Sequence, residues 1–180
     1  MNQRRVQIVL LCEDRQQEVF ARHFLKKRGF TGNIRANFCL KGAGEQFVRD
    51  SYAAEVKAYR SKNYLSVILV VLIDADKETI EKRLKQLDDA LIADSQQIRQ
   101  PQEAIAIFIP KRNIETWIHY LQGEAVDEET EYSKFTKNES ACKPYVESLV
   151  NQCYQGLDAN APSSLQAACG ELKRILPLLE

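Results

Sequence analysis

Apolar residues recur along this chain with two different periods, and the alternation between them predicts an α/β fold. Residues 6–12, VQIVLLC, form an aliphatic, β-branched run flanked by polar residues, as expected of a strand buried on both faces. Glu13 ends that run. From Gln16 to Lys27, Val19, Phe20, His23 and Phe24 recur at three- and four-residue spacing, the stripe of an amphipathic helix, which Gly29 closes. Residues 34–40, IRANFCL, alternate loosely as a second strand, followed by a Lys41-Gly42-Ala43-Gly44 turn and a long helix from about Glu45 to Arg60.

The strongest strand is 66–73, SVILVVLI, which is apolar throughout and therefore expected at the centre of a mostly parallel sheet. It stops at Asp74-Ala75-Asp76. A surface helix is expected over Lys77–Ala93, where Ile80, Leu84, Leu87, Leu91 and Ile92 share one face. Pro101 follows, then the buried strand 104–109, AIAIFI, which Pro110 ends because it has no amide hydrogen for the ladder. Asn113 is placed to cap a helix reaching about Leu121, with Glu115 in its first turn and Trp117 facing the sheet. Beyond this core of about 6–121, residues 124–140 are polar, with an acidic run from Asp127 to Glu131, and read as a loop or lid. Two closing helices are expected at Pro144–Cys153 and Ser163–Leu176, the second capped by Ser163 or Ser164 after Pro162. The expectation is one domain over 1–180, a Rossmann-like, mostly parallel sheet with helices on both faces and helices at the carboxyl end.

Composition narrows the function classes. The chain has 180 residues, 44% of them hydrophobic, enough for one core. Its 25 basic and 25 acidic side chains cancel, so nucleic-acid binding would have to come from a local patch. Arg4 and Arg5 precede the first apolar run, but that run is too short for a signal peptide, and no stretch is long enough to span a membrane. A cytoplasmic protein without membrane contact is expected. Cys12, Cys39, Cys142, Cys153 and Cys169 form no C-x-x-C pair, and their odd number reads as reduced, mostly buried thiols. With only His23 and His119 as imidazoles and no ligand spacing, a structural zinc site is not expected.

The candidate chemistry lies where strands end. Parallel strands send their carboxyl-terminal loops to a common crevice, so Glu13, after the first strand, and Asp74 and Asp76, after the central one, should meet there. Asp74 and Asp76, two apart in an extended segment, should point the same way. Converging carboxylates repel unless a cation compensates, and Mg²⁺ or Mn²⁺ suits oxygen donors. The competing reading is that Glu13, Asp74 and Asp76 cap the helices after them, and that Glu115 is an ordinary first-turn acid. Lys111, Arg112 and Asn113, with Lys134, Lys137 and Lys143 on the later segment, are candidates for phosphate contacts against a reading as solvated surface. His119 falls on a different helix face from Trp117 and reads mainly as a surface or partly buried polar residue, with substrate contact as the lesser alternative.

The order strand-Glu13-helix, then strand-Asp74-Ala75-Asp76, resembles the Toprim fold, the metal-binding module of topoisomerases, DnaG-type primases and several nucleases. The stretch Pro110 to Tyr120, which carries Asn113, Glu115 and Trp117, is similar to the helix with Asn, Glu and Trp of stand-alone Toprim proteins of the RloB-related and DUF4276-like groups, often found with bacterial defence genes. The resemblance covers about residues 6–121. It implies Glu13 as acid or base, Asp74 and Asp76 as Mg²⁺ or Mn²⁺ ligands, Glu115 as the acidic residue of the later helix, and phosphodiester hydrolysis on DNA or RNA. The alternative it leaves open is a non-catalytic scaffold subunit working with a partner ATPase or effector. Assembly as a homo-oligomer also stays open. A receiver-like domain fits less well, since that pattern needs one lone aspartate after its central strand and a lysine after a later one.

Overall fold

The structure, a computed structural model, describes residues 6–62 and 66–179, so Arg4 and Arg5 lie outside the described residues. Strands β1 (Gln7–Cys12), β2 (Ile34–Phe38), β3 (Val67–Leu72) and β4 (Ile105–Phe108) form one sheet in the order β2-β1-β3-β4. Every pairing is parallel, with Leu10 opposite Val70 and Val70 opposite Ala106. The central position expected for the most apolar strand is therefore observed, and β1 and β3 are neighbours.

Helices cover both faces, and alternation along β3 decides which residue meets which layer. Ile68, Val70 and Leu72 face α1 (Arg15–Lys27), α4 (Ile114–Leu121), α5 (Lys143–Gln155) and α6 (Ser163–Ile175). Leu69, Val71 and Ile73 face α2 (Gly44–Ser61) and α3 (Ile80–Ala93), which contribute Val48, Tyr52, Val56, Leu87 and Leu91. Trp117 is buried in the first layer as expected, its ring tilted against that of Phe20 and its indole N–H donating to Ser164 Oγ at 2.8 Å. The free edge of β4 is closed by side chains. Ile107 N donates to Glu171 Oε1 at 3.0 Å, and the guanidiniums of Arg99 and Arg174 take the carbonyl of Ile105 at 2.9 and 2.6 Å. With these two ladder groups taken, less of the edge is left to offer another strand.

Four local expectations are corrected. Helix α3 begins at Ile80, not near Lys77, because Ala75 to Glu78 form a turn and Thr79 caps the helix by accepting from Lys82 N at 3.1 Å. Strand β2 ends at Phe38 rather than at residue 40. The cap of α6 is Pro162, and the amides of Ser163 and Ser164 donate to the carboxylate of Glu128 from the acidic loop at 2.9 and 3.3 Å. Cys153 and Cys169 are not thiols: α5 and α6 lie side by side with these Cα atoms 5.3 Å apart, and a disulfide joins them. Cys12, Cys39 and Cys142 are free, the first and last of them buried. No helix of the described residues is long and apolar enough to cross a membrane.

Candidate functional site

The carboxyl ends of β1 and β3 lie side by side, and the turn after β1 decides how their acids are used. Asp14, not Glu13, caps α1: its backbone is extended and its Oδ1 accepts from Gln17 N at 2.9 Å. Glu13 is thereby released from the helix end and reaches across to β3, where its Oε1 accepts from Asp74 N at 3.0 Å. Gln17, fully buried one turn into α1, closes the link. Its Oε1 accepts from Glu13 N at 2.8 Å, and its Nε2 donates to Asp74 Oδ1 at 2.9 Å. The two expected site acids are thus in contact through one amide side chain.

Burial sets their protonation. Glu13 is pushed up to about 8, chiefly by desolvation, with Asp76 and Asp14 raising it further against the opposing hydrogen bond from Asp74 N. Asp74 is held well above the usual carboxylate range, first by desolvation and then by the charges of Glu13, Glu115, Asp14 and Asp76. Glu115, 2% exposed in the first turn of α4, is raised to about 7, mainly by desolvation, with Asp14 adding and Lys134 and His119 opposing. Glu115 therefore belongs to the same electrostatic cluster, rather than being only a first-turn acid, and Lys134 is within its field.

Asp76 departs from the extended geometry expected of it. Its φ is +54°, and it pairs antiparallel with Arg112, whose φ is +66°, through Asp76 N to the Arg112 carbonyl at 2.8 Å. The alternation rule ends with the strand, so Asp76 does not run parallel to Asp74 but turns to Arg83, whose Nη2 reaches Asp76 Oδ2 at 2.9 Å. Arg83 is 4% exposed and sits on the core-facing side of α3. Its other nitrogens donate to the Asp74 carbonyl at 2.9 Å, Glu45 Oε2 at 3.1 Å and Gln86 Oε1 at 2.9 Å. Glu45 is held below the usual carboxylate range by Arg49 and then Arg83.

Around Asp76 opens a cleft of about 370 Å³, lined by Glu45, Arg49, Lys77, Arg83, Arg112 and Asn113 among others. Arg112 faces it and pairs with Glu131 of the acidic segment at 3.4 Å. Lys111 does not: its Nζ donates to the Glu78 carbonyl at 2.7 Å and fixes the turn before α3. Asn113 is buried, its Oδ1 accepting from Thr116 Oγ1 at 3.2 Å. His119 is spent on the loop, against Glu124 at 2.5 Å and between the rings of Tyr132 and Phe135.

The donor set is suited in kind to a hard divalent cation. Asp74 has no cationic partner among the described residues, although it stands in a buried cluster of acids. As the side chains stand, however, no group of three or more His, Cys, Asp or Glu among the described residues is arranged to hold a metal ion. Protein donors occupy those oxygens: Gln17 on Asp74, Asp74 N on Glu13 and Arg83 on Asp76. Each of these bonds takes one oxygen of its carboxylate: Oδ1 of Asp74, Oε1 of Glu13 and Oδ2 of Asp76. Sequence reasoning misses Asp14, Gln17, Glu45 and Arg83. Arg83 leaves a signal, a charged residue three positions after Ile80 and four before Leu87 on an otherwise apolar stripe. Comparison with protein-family models, curated proteins and solved structures returns no significant match for this chain.

Proposed function

We propose that this chain is a Toprim-like, Mg²⁺- or Mn²⁺-dependent nuclease, or a related phosphodiester-processing protein, acting on DNA or RNA. The observation that carries the reading is the junction of Glu13 and Asp74 across neighbouring parallel strands, with Glu115 and Asp76 in their field. Burying this many acids together is unfavourable unless something compensates, and a site that binds a cation gains function from that cost.

Asp74 and Asp76 would hold the ion, with Glu13 handling the proton. When bound, such an ion lowers the pKa of a coordinated water and neutralises charge on a phosphodiester. Glu13, raised to about 8, keeps its proton at neutral pH and can deliver it to a leaving oxygen. Arg112, at the wall of the cleft, offers its guanidinium to phosphate oxygens when Glu131 lets go. The charge of Lys134 opposes that of Glu115.

The test is incubation of purified protein with plasmid, single-stranded DNA or tRNA in Mg²⁺ or Mn²⁺. Cleavage that disappears in EDTA and in Asp74→Asn and Glu13→Gln, with unchanged circular dichroism, supports the assignment. Undiminished cleavage in the double variant removes it. A second reading, a non-catalytic scaffold subunit for a partner ATPase or effector, is favoured by one observation: the acids are already satisfied by Gln17, Asp74 N and Arg83. Stable co-purification with a partner and no turnover under any metal would select it.

A further inference from the structure

The outer face of α1 carries a cationic groove separate from the carboxylate cluster. Glu18 is buried, its side chain 4% exposed, and accepts from Arg15 Nη1 at 2.6 Å and from Arg22 Nε at 2.5 Å. Arg22 Nη1 also donates to the Ile34 carbonyl at 3.1 Å, which anchors that guanidinium to the edge strand β2. One sunken carboxylate therefore fixes two guanidiniums while staying out of solvent, so the surface they present is positive.

Lys26, a turn beyond Arg22, and Lys143, the first residue of α5, line the same groove of about 320 Å³, with His23 and Ser140. Both lysines are exposed, and neither makes an ion pair among the described residues. Among the described residues Glu18 is the only acid lining the groove, and Glu147 pairs with the lining residue His23 at 2.9 Å. From Arg15 to Lys26 the helix rises about 16 Å, the length of several backbone phosphates in a row. Arg15 directly follows Asp14, the α1 cap whose charge reaches Asp74, so the groove starts beside the acidic cluster. Among the described residues no Phe, Tyr or Trp lines it, and His23, the one ring there, is held by Glu147 at 2.9 Å, so the four cations point to phosphates as the groups to be held.

We infer that the groove of Arg15, Arg22, Lys26 and Lys143 binds the phosphate backbone of single-stranded nucleic acid, without sequence preference. That the bound strand leads to the carboxylate cluster for cleavage rests on the proposed nuclease reading; the binding itself does not. A single row of cations in a narrow groove matches one strand. Such a row tracks one backbone, and a second strand adds no contact to it.

The experiment is fluorescence anisotropy in EDTA, where nothing can be cleaved, with a fluorescein-labelled single strand of about 20 nucleotides. Wild-type protein should bind with an affinity that falls as salt rises. Lys26→Glu/Lys143→Glu should bind at least roughly tenfold more weakly, with a log–log salt slope shallower by about 1.4, near 0.7 for each phosphate that is no longer neutralised. Lys26→Ala/Lys143→Ala, which only removes charge, should weaken binding in the same direction and guards against misfolding of the reversal. Wild-type affinity in both variants overturns the groove, whatever the cleavage assay shows. Tighter binding of a duplex of equal length overturns the single-strand assignment. Loss of binding in the variants, with no metal-dependent cleavage by the wild type, leaves the groove standing and removes the nuclease reading.

Discussion

Gly44, the first residue of α2, is pressed against Glu13: a methyl group added there would lie 2.7 Å from Glu13 Cβ and 2.9 Å from its carbonyl oxygen. The atoms it meets belong to backbone and Cβ and cannot swing away. Alanine normally favours a helix over glycine by about 1 kcal/mol. At this position we expect the opposite, a loss of roughly 1–3 kcal/mol from overpacking, together with loss of cleavage as Glu13 shifts from Asp74. Gly170 in α6 has nothing within 4 Å of an added Cβ and serves as the control, where Gly170→Ala should stabilise by up to about 1 kcal/mol. Melting temperatures and cleavage rates of the two variants decide it. Equal behaviour of both would show that Glu13 tolerates displacement.

Gln17 is the hinge between the two acids, and its removal should be costly in a specific way. Gln17→Leu leaves Glu13 N and Asp74 Oδ1 without partners in a buried site, a loss of roughly 1–3 kcal/mol for each group. Gln17→Glu keeps the shape but adds another acid beside Asp74. Its stability should therefore depend on divalent cation more steeply than that of the wild type. Thermal shift with and without Mg²⁺ measures this, and a Gln17→Glu protein indifferent to Mg²⁺ would argue against a cation between these residues.

Stability should fall as pH rises, the reverse of ordinary acid denaturation. Glu13 and Glu115 are raised from 4.5 to about 8 and about 7 by burial, so the folded chain holds protons that the unfolded chain releases. Their stabilisation is complete below about pH 4.5 and is lost as pH passes 7 and then 8. For Glu115 alone the loss is on the order of 3 kcal/mol. Melting temperature in EDTA from pH 5 to pH 9, with Glu13→Gln/Glu115→Gln as the flattened reference, tests the sign. A wild-type curve that rises over this range contradicts the buried cluster.

How much of this is legible in the sequence depends on how local the cause is. The strands β1, β3 and β4 follow from mostly apolar runs, and the nearness of Glu13 to Asp74 follows from parallel pairing of the first two. The geometry of Asp76 does not, because alternation holds only while the backbone is extended and Asp76 has left the strand with φ +54°. Gln17 and Arg83 act through partners 57 and 9 residues away, and only packing reveals those. Lys111 and Arg112 are adjacent in sequence yet serve a turn and a cleft respectively, a difference set by the positive φ of Arg112. The α1 groove is hidden for the same reason: Lys143 joins Arg15 and Arg22 only after α5 has packed on α1.

Cys153 and Cys169 give the last prediction, because odd cysteine number conceals a pair that helix packing brings together. The bond closes a loop of 16 residues between α5 and α6, for which the loss of unfolded-state entropy is worth about 3 kcal/mol. Reduction should therefore lower the melting temperature by roughly 6–12 °C in a chain of this size. The effect should reach α4, since α6 also supplies Ser164 to the indole of Trp117. Trp117 fluorescence should accordingly shift on reduction, before global unfolding. Both cysteines line an apolar cavity of about 30 Å³ shared with Phe20, Phe24 and Trp117, so Cys153→Val/Cys169→Ala, which removes the link while keeping the apolar lining, separates tether from packing. If that variant melts with the oxidised wild type, the link contributes nothing and the layer is held by its core alone.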